Sequence, residues 1–102
     1  MYRVRTSIDD SIIANLLAHR LVSNHAAASV HIREINSVYA WNKKIEDVTE
    51  YEVEALCSSV EPCIEVIKAN HPYECPEILY EQINCSNQLK DWCDEWCFEN
   101  KD

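Results

Sequence analysis

Glycine is absent from all 102 residues of this chain, where average usage would supply about seven. Every tight turn must therefore be made without the residue that reaches positive φ most cheaply. Asparagine tolerates that region best among the others, so Asn36, Asn42, Asn70, Asn84 and Asn87 are the natural substitutes. Glycine-rich phosphate-cradling loops are excluded outright. The sequence also has no apolar run long enough to span a bilayer. Its start, Met1-Tyr2-Arg3-Val4-Arg5-Thr6, lacks the apolar centre of a secretory signal. A reducing, cytoplasmic setting is the expectation.

Basic side chains are scarce, nine against eighteen acidic, for a formal charge of −9. Such a surface repels phosphate backbones, which argues against nucleic acid and anionic membranes as partners. It suits cations or a basic partner, although net charge also simply keeps a small protein soluble. Six cysteines are present, at 57, 63, 75, 85, 93 and 97, without a Cys-x-x-Cys. The strongest zinc and redox signatures are thus missing. Free thiols acting as small buried or half-buried hydrophobes are expected.

The chain is of single-domain length, residues 1–102, and 47% hydrophobic, enough for one packed core. Residues 2–6 alternate and predict a first strand. Asp9 or Ser7 can cap a helix with Ile12, Ile13, Leu16, Leu17 and Leu21 along one stripe. Residues 26–41 switch to period two, interrupted at Arg33-Glu34, which suggests a bulge or kink. After a polar, turn-like stretch over 42–48, residues 49–57 alternate again. Tyr51, Val53, Ala55 and Cys57 fall on one face and Glu50, Glu52 and Glu54 on the other, so the two strands form a hairpin. With no glycine available, Asn42 is expected to take a positive φ there.

Ser59 can cap a second helix, with Pro62 in its first turn and Cys63, Ile64 and Ile67 on its apolar face. His71-Pro72 ends it. Residues 77–83 have strand character. Ser86 can cap a last helix carrying Leu89, Trp92, Cys93, Trp96 and Cys97 on one side. The order β-α-β-β-α-β plus a terminal helix gives a ferredoxin-like α+β sandwich, a four-stranded antiparallel sheet with helices on one face. Its other face would need cover. Self-association is the physical expectation, since Tyr39 and Trp41 would otherwise stand partly wet.

Residues 71–78, His-Pro-Tyr-Glu-Cys-Pro-Glu-Ile, carry the chemistry. Two prolines four positions apart hold the backbone extended and present an imidazole, a phenol, a carboxylate and a thiol in a fixed array. His71 and Cys75 could bind a soft or borderline ion such as copper or zinc. Glu74 or a neighbouring chain would have to complete the site, because a closed site needs about four ligands. The structural alternative has His71 closing the helix and Cys75 packed in the core. A Cys75 nucleophile with His71 as base lacks an electropositive setting and a third orienting group, so no catalytic residue is assigned. Cys93 and Cys97 are read as core packing beside two indoles. His19, His25 and His31 are read as surface residues.

Ser37-Val38-Tyr39-Ala40-Trp41, then Lys44-Ile45-Glu46, then residues 71–78 together resemble the CutA family of divalent-cation tolerance proteins. Ala26-Ala27 and Trp92 fall where that family has its Ala-Ala and its tryptophan, and the resemblance spans nearly the whole chain. It implies a cytoplasmic-type, non-catalytic homotrimer of ferredoxin-like subunits, linked to copper and other divalent ions, with no cofactor required for folding. In such a trimer Trp41 of one subunit could meet Tyr73 of another in a shared pocket with Lys44 and Glu46 at its mouth; the structural alternative has Trp41 and Tyr73 as interface anchors and Lys44-Glu46 as a solvated pair. The PII-type regulators share this subunit topology, so a signalling or structural trimer is the alternative.

Departures from the family bear on the metal site. Arg5 stands where bacterial relatives carry a cysteine. Asn70 replaces the first histidine of a His-His pair, leaving His71. Ala28 stands where a cysteine often follows Ala-Ala. Arg33-Glu34 and Lys43-Lys44 replace the familiar glycine-containing turns, and a third-strand lysine is Cys57. The fold is expected to carry over and the metal site not intact.

Overall fold

The computed structural model describes residues 1–99; positions 100–102 of the expected single domain lie outside the described residues. The elements run β1 (Tyr2–Ile8), α1 (Ser11–Ser23), β2 (Ser29–Trp41), β3 (Lys44–Cys57), α2 (Val60–Asn70), β4 (Leu79–Gln82) and α3 (Asn87–Cys97). The four strands form one antiparallel sheet in the order β2-β3-β1-β4. This is the expected βαββαβ topology with an added helix.

Val4, Ile8, Val53, Ala55 and Cys57 leave the helix-facing side of the sheet and meet Ala14, Leu17 and Leu21 of α1 and Cys63 and Ile67 of α2. The α1 stripe differs from its expected form. Ile13, Leu17 and Leu21 line up at four-residue spacing, and Ala14 lets the helix approach, whereas Ile12 and Leu16 are exposed. The cap is Asp10, not Asp9 or Ser7: its Oδ1 accepts from the amides of Ile12 (2.8 Å) and Ile13 (3.2 Å). Ser59 occupies the start of α2 but makes no side-chain cap bond. Ser86 caps α3 as expected, accepting from the Leu89 amide at 3.2 Å.

No bulge interrupts β2. It pairs with β3 in one constant register from Ser29↔Leu56 to Trp41↔Lys44. The sequence pattern breaks at Arg33-Glu34 because the partners of the strand change, not its geometry. Val30 and Ile32 pack on the core, while Arg33 on the other face reaches Glu52 (2.5 Å) and Glu54 (2.9 Å). Arg3 then links Glu54 (3.2 Å) to Glu81 (2.9 Å). Ion pairs across all four strands thus cover part of the open face that the sequence left bare.

The hairpin turn is two residues long, not the stretch 42–48, because β3 begins at Lys44. Asn42 has φ 51° and Lys43 φ 62°, the pair of positive values that a type I′ hairpin turn demands. Asn42 takes the role expected of it, and Lys43 shares it. Asn36, Asn70, Asn84 and Asn87 do not. The third positive φ belongs to His25, at 59°, just past the end of α1. There the amides of His25 and Ala26 donate to the carbonyls of Val22 and Leu21, each at 3.0 Å, the Schellman closure normally given to glycine.

His25 is therefore not a free surface histidine. Its ring stacks on Trp96 with centroids 3.9 Å apart, and its Nδ1 lies 3.0 Å from the Trp96 carbonyl oxygen. Trp96 in turn donates from Nε1 to the Val22 carbonyl at 3.0 Å. These contacts seat α3 on the end of α1. Cys93 is buried beneath it with Cys97 at 3.9 Å, while Trp92 and Leu89 turn outward. All six cysteines are free thiols; Cys57, Cys63 and Cys93 are buried and Cys75 is exposed. The Cys57 sulfur and burial both push the Cys63 thiol up, so it stays neutral and packs as a small hydrophobe.

A lysine held at positive φ costs about 1 kcal/mol relative to glycine. Lys43→Gly completes an Asn-Gly turn and is expected to raise the unfolding free energy by about 1 kcal/mol, read as a higher urea midpoint with an unchanged m-value.

Candidate ligand cleft and its relatives

Residues 71–78 leave α2 and cross the end of β1. The His71 amide donates to the Ile67 carbonyl at 2.9 Å, closing the helix. Its imidazole is fully engaged: the Tyr73 amide donates to Nδ1 at 3.2 Å, so Nε2 carries the proton and donates to the Ser7 carbonyl oxygen at 2.8 Å. The Tyr73 ring stands edge-on to His71, centroids 4.6 Å apart. Its hydroxyl donates to Glu50 Oε2 at 2.7 Å. Further along, the Ser7 hydroxyl donates to Glu77 Oε2 at 3.3 Å.

Glu50 is the residue the sequence pattern misplaced. Alternation puts it on the polar face with Glu52 and Glu54, yet it is 3% exposed. The proline-braced segment is laid over that part of the outer face and supplies the phenol that its carboxylate needs. A buried carboxylate left without such a partner would be strongly unfavourable. The one signal available in the sequence was Tyr73 itself, since a half-buried tyrosine hydroxyl usually finds an acceptor.

Between this segment and the hairpin lies a cleft of about 810 Å³. Tyr39, Trp41 and Tyr73 supply aromatic walls, and Asp9, Glu50, Glu74 and Glu77 supply carboxylates. Trp41 and Tyr73, expected to meet across a subunit boundary, both line the cleft of a single chain. Lys44 and Glu46 do not line it; they pair across the hairpin with Trp41 and Tyr39. Among the described residues, no Lys, Arg or His contributes to the lining. The negative field is felt by both phenols. Burial first, then the hydrogen bond to Glu50 and the charges of Glu50 and Asp9, push Tyr73 well above the usual 10.0. Burial, then Glu50, Glu46 and Asp9, push Tyr39 up as well.

As a metal centre the segment is incomplete. Glu74 and Cys75 are exposed at the cleft, but both nitrogens of His71 are committed to the backbone. Among the described residues, no three or more His, Cys, Asp or Glu side chains gather to hold an ion. Asn70, at the position of the lost histidine, accepts from Arg20 and donates to the Val66 carbonyl at 2.7 Å. Nor does Cys75 pack in the core; it is exposed.

The CutA1 divalent ion tolerance protein model matches residues 2–96. The chain belongs to the CutA family. It is 32% identical over 78 residues to the divalent-cation tolerance protein CutA of Escherichia coli (strain K12 / DH10B), a match covering 72% of this chain and 68% of that one. The CutA of Archaeoglobus fulgidus, described as a periplasmic divalent cation tolerance protein, superposes with a TM-score of 0.90. It is 29% identical and the match covers 95% of this chain and 99% of that one. The PII-like protein CutA from Nostoc sp. PCC 7120 shares the fold, with a TM-score of 0.89, 22% identity, and coverage of 95% and 97%.

Two outcomes test the clamp beneath the cleft. Tyr73→Phe strands a buried carboxylate and is expected to cost about 2 kcal/mol of stability, measured by urea unfolding. In the native protein the Tyr73 phenol is held above its unfolded value. Its contribution to stability is therefore complete below pH 10.0 and lost as pH rises beyond it. Ultraviolet absorbance titration should show a late-ionising phenol that Tyr73→Phe removes.

Proposed function

We propose that this CutA-family chain serves divalent-cation tolerance as a non-catalytic homotrimer in a reducing compartment, with the cleft as its ligand site. The observation that carries self-association is the far half of the hairpin. From Val38 to Asp47 only Glu46 is even half-buried, although the segment holds Val38 (64% exposed), Trp41 (42%) and Ile45 (81%). Apolar groups uncovered on both faces of a projecting ribbon call for another protein surface. The outer edge of β2, thirteen residues long, adds a row of backbone groups with no strand beside it, and native proteins cover or pair such edges. Three copies pairing through these edges, as the family resemblance implies, would answer both needs.

Within such an assembly Cys75 and Glu74 are the chain's own donors toward a copper- or zinc-class ion. An exposed thiol with an adjacent carboxylate suits a borderline ion, and two donors per chain leave the remaining positions to other copies. His71 acts by holding the segment to Ser7 rather than as a ligand. A nucleotide-binding role of the PII type has less support, because phosphates would meet carboxylates and no base in the cleft.

Calorimetric titration with Cu and Zn under reducing conditions tests the metal half. Cys75→Ser is expected to weaken binding at least about tenfold, the loss of one charged ligand contact. His71→Gln should lower thermal stability while leaving affinity within about twofold. An unchanged affinity in Cys75→Ser, or an equal loss in both variants, would remove this assignment. Light scattering should return three times the 11.9 kDa chain mass; a monomer mass would end the trimer reading.

A further inference from the structure

The cleft is far larger than any inorganic ion needs. At about 810 Å³ it falls within the range of pockets that hold small organic molecules. Its composition narrows the class. Aromatic rings and carboxylates both line it, and among the described residues the lining has no basic side chain. An anion would find no counter-charge there. A neutral apolar ligand would leave carboxylates facing it unpaired, which is unfavourable. Within one chain, and among the described residues, a compact metal ion would find no converging group of three donors, so the single-chain cleft calls for a larger ligand.

An ammonium group on a carbon chain fits each of these facts. Its charge is attracted both to carboxylates and to the faces of Trp and Tyr rings, while the methylene segments lie against the same rings. Glu50 adds pre-organisation: its carboxylate is buried at the floor and fixed by Tyr73 at 2.7 Å. The remaining carboxylates, Asp9, Glu74 and Glu77, are exposed and stand around it, so more than one positive centre can be matched. Both cleft phenols are pushed up, by burial first and then by the neighbouring carboxylates, Glu50 and Asp9 acting on each.

We infer that the cleft between the hairpin and residues 71–78 is a binding site for an aliphatic organic cation bearing two or more ammonium groups, seated between Trp41 and Tyr73 with one ammonium on Glu50. This rests on the reading of the cleft as the ligand site. It adds the ligand's chemistry, which the metal-donor pair at Cys75 and Glu74 does not specify.

The test is calorimetric titration of the whole chain with 1,4-diaminobutane, beside the isosteric neutral diol and succinate, at matched ionic strength. The diamine should bind saturably and the two controls should not. Glu50→Gln keeps an acceptor for Tyr73 while removing the charge, and it should weaken the diamine about tenfold. Asp9→Asn, at an exposed position that leaves folding intact, should weaken it several-fold, and Trp41→Leu likewise. No saturable heat from the diamine, equal binding of the diol, or affinities unchanged in all three variants would overturn the inference. Light scattering and the Cu and Zn titrations on the same samples keep the two readings apart. A trimer that binds metal but no diamine removes the organic cation alone. A monomer that binds the diamine removes the assembly and leaves the cleft ligand standing.

Discussion

A hydroxyl donating to a carboxylate across 2.7 Å, Tyr73 to Glu50, is the contact on which the rest of the site depends. It joins two parts of the chain that the sheet does not connect, the outer face of β3 and the proline-braced passage from α2 to β4. Without it Glu50 would face the cleft bare, and residues 73–77 would lose the anchor that holds them as a wall. His71 makes the same segment rigid from the other side, spending both ring nitrogens on the backbone. With both nitrogens so engaged, the imidazole is part of the frame. Carboxylates and aromatic rings are what remain facing the cavity, and the preference for positive charge proposed for it follows from how the segment is fastened.

The second constraint is the long β2–β3 ladder. Its register is unbroken to Trp41↔Lys44, which carries Tyr39 and Trp41 out past the helices to form the opposite wall. The ladder can be that long only because its turn is two residues, and the turn closes without glycine by placing Asn42 and Lys43 at positive φ. Extension beyond the core exposes Val38 and Ile45 on one face and Trp41 on the other. The feature that builds the cleft is thus also the one that leaves apolar groups uncovered, so the proposed ligand site and the proposed assembly rest on one ribbon.

Much of the architecture was legible because it follows from periodicity. The three helices, four strands and their order came from apolar spacing, and the α3 cap from Ser86. What failed did so for identifiable reasons. The apparent bulge at Arg33-Glu34 is a change of surroundings, from core to ion pairs, that sequence spacing cannot tell from a change of geometry. The turn was drawn too long because Lys44, Glu46 and Asp47 are polar, although strand pairing is made by the backbone. His25 was read as surface because no pattern predicts a histidine in the left-handed position stacked on an indole 71 residues away. Of the residues lining the cleft, the sequence singles out Trp41 and Tyr73 but not Glu50. Its burial is imposed by a segment of the chain that arrives from outside the strand's own pattern.

The claim that the Glu50–Tyr73 contact holds the cleft together is tested most directly by a double-mutant cycle. Unfolding free energies would be measured for the native chain, Glu50→Ala, Tyr73→Phe and the combined variant. A buried, charge-assisted hydrogen bond predicts a coupling of about 2 kcal/mol between the two positions. Losses that add within about 0.5 kcal/mol would mean the two groups act independently, and the account of how this cleft is built would be wrong.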